Sequence, residues 1–361
     1  MDRVERIQGA VLMQAYGDAL GAPFEFSSER VEWIDRLRPY VGSAGPHGLW
    51  SVPAPAGTGT DDVRYAWVFM ELACQVQRAP DAREIAKRFV EIYERPAAFF
   101  PRHAQLARNQ FSMWEGVSSG YLGRESLNYL GISSDVLATR SVGLNYPTIA
   151  GMLALPFMGL LYAGEPERAY CAAYEAAFFD VAYAREATAL LAASQSLAIA
   201  GIEPCEIIER TLALDPLRLG GYFGRPFVVD NLPSLLRRAR GKQGVDLVEF
   251  LSFELRHFSA FDPYRALSTA FCALLAHGDV PIRALEVAVN QFELDSYGNW
   301  LRYADVDCYA SITGGLVGAL CGVGALPRDS ILCCVDSNKQ AYGFDIEDSA
   351  DRFADLLVNK L

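Results

Sequence analysis

The sequence predicts an all-α protein, one compact multi-helix domain. Three observations predict it. Apolar residues recur at helical spacing along nearly the whole chain, period-two alternation is almost absent, and helix-opening residues stand before the periodic runs. The chain has 361 residues, 51% apolar and 21% charged, which is enough apolar material for a large packed core.

The elements follow in order. Residues 7–20 read as a helix that Pro23 stops. Residues 61–77 form the next, with Thr60 as N-cap and two acids in the first turn, where the helix dipole favours them. Residues 82–94 follow, opened by Asp81, then 102–114 and a short helix at 133–139. The alanine-rich middle gives helices at 147–163, 166–179 and 183–200. Residues 204–213, 232–239, 244–256, 263–277, 282–291 and 308–320 complete the set. The Pro/Gly-rich stretch 42–59 reads as a loop leading into the acid pair at 61–62, and loops of that length are often functional. Residues 1–327 are expected to form the helical domain. The more polar residues 328–361 are expected as a C-terminal extension packed on it.

The net charge of −12 gives the long-range field the wrong sign for extended binding to nucleic acid or an anionic membrane. The longest apolar stretches, such as 152–163, contain Pro156 and glycines and are too short to span a bilayer. The start, Met1-Asp2-Arg3-Val4-Glu5-Arg6, has no signal-peptide apolar run, so a cytoplasmic protein is expected. Eight scattered cysteines without a Cys-x-x-Cys pair argue against zinc or redox motifs. His47, His103, His257 and His277 lack metal-ligand spacing.

The chemistry concentrates in three places. Gly17-Asp18-Ala19-Leu20-Gly21-Ala22-Pro23-Phe24-Glu25 ends the first helix on small residues and puts Glu25 on a loop. Gly57-Thr58-Gly59-Thr60-Asp61-Asp62 opens the second helix, and Asp305-Val306-Asp307-Cys308 opens the last of the set. Carboxylates this closely spaced repel one another unless a cation lies between them. Two such groups supply the hard oxygens that Mg²⁺, Mn²⁺ or Ca²⁺ prefer. Capping alone explains acids in a first turn, but not the glycine-rich approach. Gly314, Gly318 and Gly322 recur every fourth residue as a bare stripe. Glycine inside a helix costs roughly 1 kcal/mol against alanine, and close packing compensates. Pairing this stripe with the small-faced first helix would bring residues 18–25 and 305–308 together.

These three motifs, in this order and closed by Leu326-Pro327, resemble the ADP-ribosylglycohydrolase family, which includes dinitrogenase-reductase-activating glycohydrolases and a lens crystallin. The resemblance spans roughly residues 8–327. It implies an all-α fold, one or two Mg²⁺ or Mn²⁺ ions, and cleavage of a ribosyl C1″ bond to nitrogen or oxygen. It also implies Thr60, Asp61, Asp62, Asp305 and Asp307 as metal ligands, with Glu25 an acid beside the metals. Catalytic roles then fall to Glu25, Asp61, Asp62 and Asp307, and the partner is a small-molecule or ADP-ribosylated substrate. The sequence departs from the family pattern at Val63 and Cys308, where threonine is usual, and at Leu153, where arginine is usual. A thiol at 308 is a poor match for a hard ion, so the second ion is expected to bind weakly or not at all unless Cys308 is only a small filler. Two rival readings remain at this stage: a catalytically silent structural protein like the crystallin, and a nucleoside or phosphoester hydrolase on the same scaffold.

Overall fold

The structure is a computed structural model, and it describes residues 2–39, 53–123, 146–220 and 227–358. The helix expected at 133–139, His47 and much of the 42–59 loop lie outside the described residues. The fold is all-α. The helices are α1 (Arg3–Gly21), α2 (Asp61–Val76), α3 (Ala82–Glu94), α4 (Pro96–Phe99), α5 (Ala104–Leu122), α6 (Phe157–Leu161), α7 (Pro166–Ala176), α8 (Tyr183–Ile199), α9 (Pro204–Leu212) and α10 (Phe227–Ala239). After them come α11 (Gly244–Glu254), α12 (Pro263–His277), α13 (Pro281–Val289), α14 (Val306–Cys321), α15 (Arg328–Tyr342) and α16 (Ile346–Val358). Among the described residues the only sheet is an antiparallel pair, β1 (Phe292–Leu294) with β2 (Trp300–Tyr303). None of the described helices is long and apolar enough to cross a membrane.

At the centre α1 runs antiparallel to α14. Gly9 faces Gly318 and Gly322, Met13 faces Gly314, Gly17 faces Ala310, and Gly21 faces Asp307. A Cβ on Gly9 would lie 2.5 Å from the Gly322 carbonyl carbon, and Cβ atoms on Gly17, Gly21, Gly314 and Gly318 would overlap backbone across the interface. The helices therefore touch backbone to backbone, and α1 is buried from Gly9 to Gly21. A helix buried all round needs no amphipathic stripe, and α1 has none. The small-residue pairing expected from the sequence is present, and it sets the end of α1 against the start of α14.

Capping follows the residue chemistry. Asp81 accepts from the Glu84 amide at 2.9 Å while Glu84 accepts from the Asp81 amide at 2.9 Å, a reciprocal box that opens α3. The helix expected over 147–163 is instead a 3₁₀ turn, Ala150–Leu153, followed by α6. Pro156 prevents one continuous helix, because it lacks an N–H and its ring crowds the preceding turn. The β1–β2 hairpin is a further difference from the purely helical pattern. Its signal is the turn Asp295-Ser296-Tyr297-Gly298-Asn299, where Asp295 accepts from the amides of Tyr297 and Asn299 and Gly298 takes φ +84°.

Residues beyond Pro327 form α15 and α16. Phe353 is fully buried, 6.3 Å from the Phe69 ring and 6.1 Å from the Phe157 ring. Phe344, between the two helices, stacks on Trp67 at 4.7 Å.

Gly318→Ala sets the helix-propensity gain of about 1 kcal/mol against overpacking that costs about 1–3 kcal/mol. Backbone oxygen sits 2.2 Å from where the new methyl would go, which puts overpacking in the upper part of that range, about 2–3 kcal/mol, and denaturant unfolding should show a net loss of about 1–2 kcal/mol. Equal or greater stability would contradict the contact. A second prediction concerns Glu186 in α8, which is 3% exposed, with Oε1 lacking a hydrogen-bond partner. Burial, aided by Asp215 and Asp230, pushes its carboxyl from the ordinary 4.5 to about 8. The folded chain thus holds a proton there that the unfolded chain releases, and stability falls as pH rises through that window. Glu186→Gln should remove this decline, so its melting temperature should gain on the native chain between about pH 5 and about pH 8. Parallel pH profiles would show that Glu186 does not titrate this way.

Candidate metal centre and catalytic cavity

The α1–α14 contact carries Asp18 to the start of α2. Asp18 is fully buried and accepts from the Thr60 amide at 2.9 and 3.0 Å and from the Val63 amide at 3.0 Å. Its side chain lies 2.9 Å from the Thr60 hydroxyl. The Asp62 amide reaches Thr60 Oγ1 only at 3.5 Å, so Asp18, from another helix, caps α2 more effectively than Thr60 does. Sequence reading stopped at the small residues around Asp18 and missed it as a positioning group.

A second support comes from α15. Asn338 donates to the Gly57 carbonyl at 3.2 Å and accepts from the Gly59 amide at 3.1 Å. The Tyr342 hydroxyl donates to the Gly59 carbonyl at 2.5 Å and accepts from Arg64 at 2.9 Å. Arg64, fully buried, also donates to Gln110, which in turn donates to the Asp61 carbonyl at 3.1 Å. Nothing in the sequence spacing signals these partners, which lie far apart along the chain.

The two acidic motifs meet here. Thr60 Oγ1 lies 3.3 Å from Asp307 Oδ2, across 247 residues of sequence. Cys308 Sγ lies 3.3 Å from Asp62 Oδ1. Glu25 is brought in by its turn, where the Phe26 amide donates to the Ala304 carbonyl and the Tyr303 amide donates to the Ser27 carbonyl. Phe26 itself takes φ +51°, a conformation that costs a phenylalanine about 1–3 kcal/mol, and its ring packs on Phe261 at 5.2 Å.

Glu25, Asp61, Asp305, Asp307 and Cys308 share one wall of a cavity of about 330 Å³. Thr60 and Asp62 lie behind that wall and touch residues on it. The rest of the lining is mostly apolar and includes Trp114, Leu153 and Phe261. Trp114 is backed by Phe179 at 4.9 Å. The turn bearing Leu153 is fixed by Asp180, which accepts from the Gly151 amide and the Thr188 hydroxyl, and by Gln14, which donates to the Leu153 carbonyl. Larger clefts of about 550 Å³ beside Arg83 and about 660 Å³ beside Arg237 hold no cluster of buried acids, so volume alone does not choose the site.

Burial and mutual repulsion disfavour the charged forms of these acids, a cost that a bound cation would offset. Burial, then Asp18, holds the Asp62 carboxyl well above the usual range, and burial, then Asp307, does the same for Glu25 and Asp305. Burial followed by Asp61 pushes Asp307 up to about 6, and burial followed by Asp307 pushes Asp18 up to about 8. Oδ2 of Asp62 and Oδ1 of Asp307 are buried without a hydrogen-bond partner. Donor atoms of Asp305, Asp307 and Cys308 lie within 4.8 Å of one another and form a candidate metal centre. Unpartnered buried carboxylate oxygens beside this cluster fit a divalent ion.

The sequence matches the ADP-ribosylglycohydrolase family over residues 1–360. The chain belongs to this family. Among solved structures it is similar to a chain described as an ADP-ribosylglycohydrolase-related protein complex, at 20% identity and a TM-score of 0.58, covering 99% of both chains. At that identity the likeness is one of fold. Comparison with curated proteins gives no match. Membership supports a glycohydrolase-type function, and in this family member the three sequence motifs meet at the acids that line the cavity.

Asp18→Ala removes the acceptor from two buried amides, at about 1–3 kcal/mol each. Unfolding should show a loss of about 3 kcal/mol, with Asp18→Asn retaining part of the difference. Unchanged stability in the alanine variant would show that Asp18 does not hold the start of α2.

Proposed function

We propose that this ADP-ribosylglycohydrolase-family chain is a divalent-metal-dependent glycohydrolase that cleaves a ribosyl C1″ N- or O-glycosidic bond in an ADP-ribosyl or related ribosylated small substrate. What supports the reading most is the convergence of Glu25, Asp61, Asp305 and Asp307 on one wall of a largely apolar cavity, with orphaned carboxylate oxygens behind it. Thr60, Asp61, Asp62, Asp305 and Asp307 would hold one or two Mg²⁺ or Mn²⁺ ions. Bound there, such ions supply Lewis acidity and a water of lowered pKa.

The protein groups do the rest. Trp114, Leu153 and Phe261 give the cavity an apolar lining beside the acids and would limit the water that reaches the reacting bond. Glu25, the acid carried on a loop rather than a helix, takes the proton from the attacking water, and burial followed by Asp307 raises its proton affinity above that of an ordinary carboxylate. Asp61 and Asp307 stabilise the positive charge that develops at C1″ in an oxocarbenium-like state, with Asp62 behind them. Thr60 and Asp18 hold Asp61 and Asp62 in place.

The deciding experiment is product analysis on ADP-ribosyl compounds, nucleosides and nucleotides, with and without Mg²⁺ or Mn²⁺. A released ribosyl product is expected only with the ion, and Asp61→Asn and Asp307→Asn should each lower the rate by about 10²-fold or more while the fold is kept. Phosphate release without glycosidic cleavage would point to a phosphoester hydrolase. Ion binding with no turnover of any compound would favour a catalytically silent protein.

A further inference from the structure

Cys308 introduces a sulfur among oxygens. Its Sγ lies within 4.8 Å of carboxylate oxygens of both Asp305 and Asp307, and 3.3 Å from Asp62 Oδ1. Donors on one ion sit about 2.0–2.3 Å from it, so two on opposite sides lie up to about 4.6 Å apart, and small side-chain movements would bring this group to that spacing. Cys308 is among the residues that line the cavity, and it packs against the core as well. Two polar atoms point independently to an absent ligand. Asp307 Oδ1 and Asp62 Oδ2 belong to side chains 2% and 0% exposed, and neither atom has a partner.

We infer that Cys308 is a metal ligand and that the position bounded by Asp62, Asp305, Asp307 and Cys308 selects a borderline thiophilic ion, Zn²⁺, Fe²⁺ or Co²⁺, over Mg²⁺. The inference rests on the reading of this wall as a metal centre. On binding, the S–H bond breaks, its proton passes to solvent, and the sulfur lone pair goes to the ion, so no oxidant or reductant is involved. A thiolate prefers these ions to Mg²⁺, which gains little from sulfur. Thr60 and Asp61 offer only oxygen from their side chains, so an adjoining position keeps its preference for Mg²⁺ or Mn²⁺. The site is then mixed, and one thiol sets its composition.

The test uses the full chain, stripped with a chelator and titrated with Co²⁺ as probe. Cobalt bound through Cys308 gives a near-ultraviolet thiolate-to-metal charge-transfer band, absent in Cys308→Ser although seven other cysteines remain. Competition should show Zn²⁺ binding weakened by about tenfold or more in Cys308→Ser, a change of the size seen even for outer partners of metal ligands. In Cys308→Thr the preference should move toward Mg²⁺. Circular dichroism checks that both variants fold. If Co²⁺ binds, is lost in Asp307→Asn, and yet shows no band that depends on Cys308, the inference is overturned while the metal-dependent reading stands. If no divalent ion binds the native chain, both are overturned.

Discussion

Contact between the backbones of α1 and α14 is the constraint on which the site depends. Each glycine in that seam costs helix propensity, roughly 1 kcal/mol relative to alanine. The return is an approach so close that a methyl group has no room on either side. Without it, Gly21 could not sit against Asp307, and Asp18 could not reach the amides of Thr60 and Val63. The same seam therefore sets the interhelical distance and the register of the acids.

Gathering this many carboxylates in one buried place is costly, because burial and mutual repulsion both disfavour the charged forms. The chain offsets part of that cost with fixed donors. Backbone amides at the start of α2 serve Asp18, and the helix dipole there favours negative charge. Orphaned oxygens on Asp62 and Asp307 mark where the protein's own donors stop. That division leaves oxygens that a divalent ion would satisfy.

The loop feeding this centre is held from the far end of the chain. Asn338 and Tyr342 pin Gly57 and Gly59, and Arg64 links them through Gln110 to the Asp61 carbonyl. Helices α15 and α16 are thus tied to the centre as well as to the core through Phe344 and Phe353. Disturbing the packing of α15 would reach the acid wall without touching any candidate ligand, because loop geometry, not distance, transmits the change.

The sequence by itself determined the helical class, most helix bodies, the three chemical motifs and the glycine stripe. Each of these is local: a periodicity, a cap such as Asp81 with Glu84, or acids two residues apart. The break at Pro156 was also written locally, and the period simply masked it. Tertiary structure decided what was not local. Asp18 looked like one polar residue on a small-faced helix end, and only the arrival of α2 makes it a cap. Asn338, Tyr342, Arg64 and Gln110 carry no spacing signal, because their partners lie dozens to hundreds of residues away. The orientation of Cys308 toward Asp62 depends on how α14 is rotated against α2. A single sequence records which chemistry is available at a helix start. Which side chains converge is set by interhelical distance and rotation, and here those follow from where backbone can touch backbone.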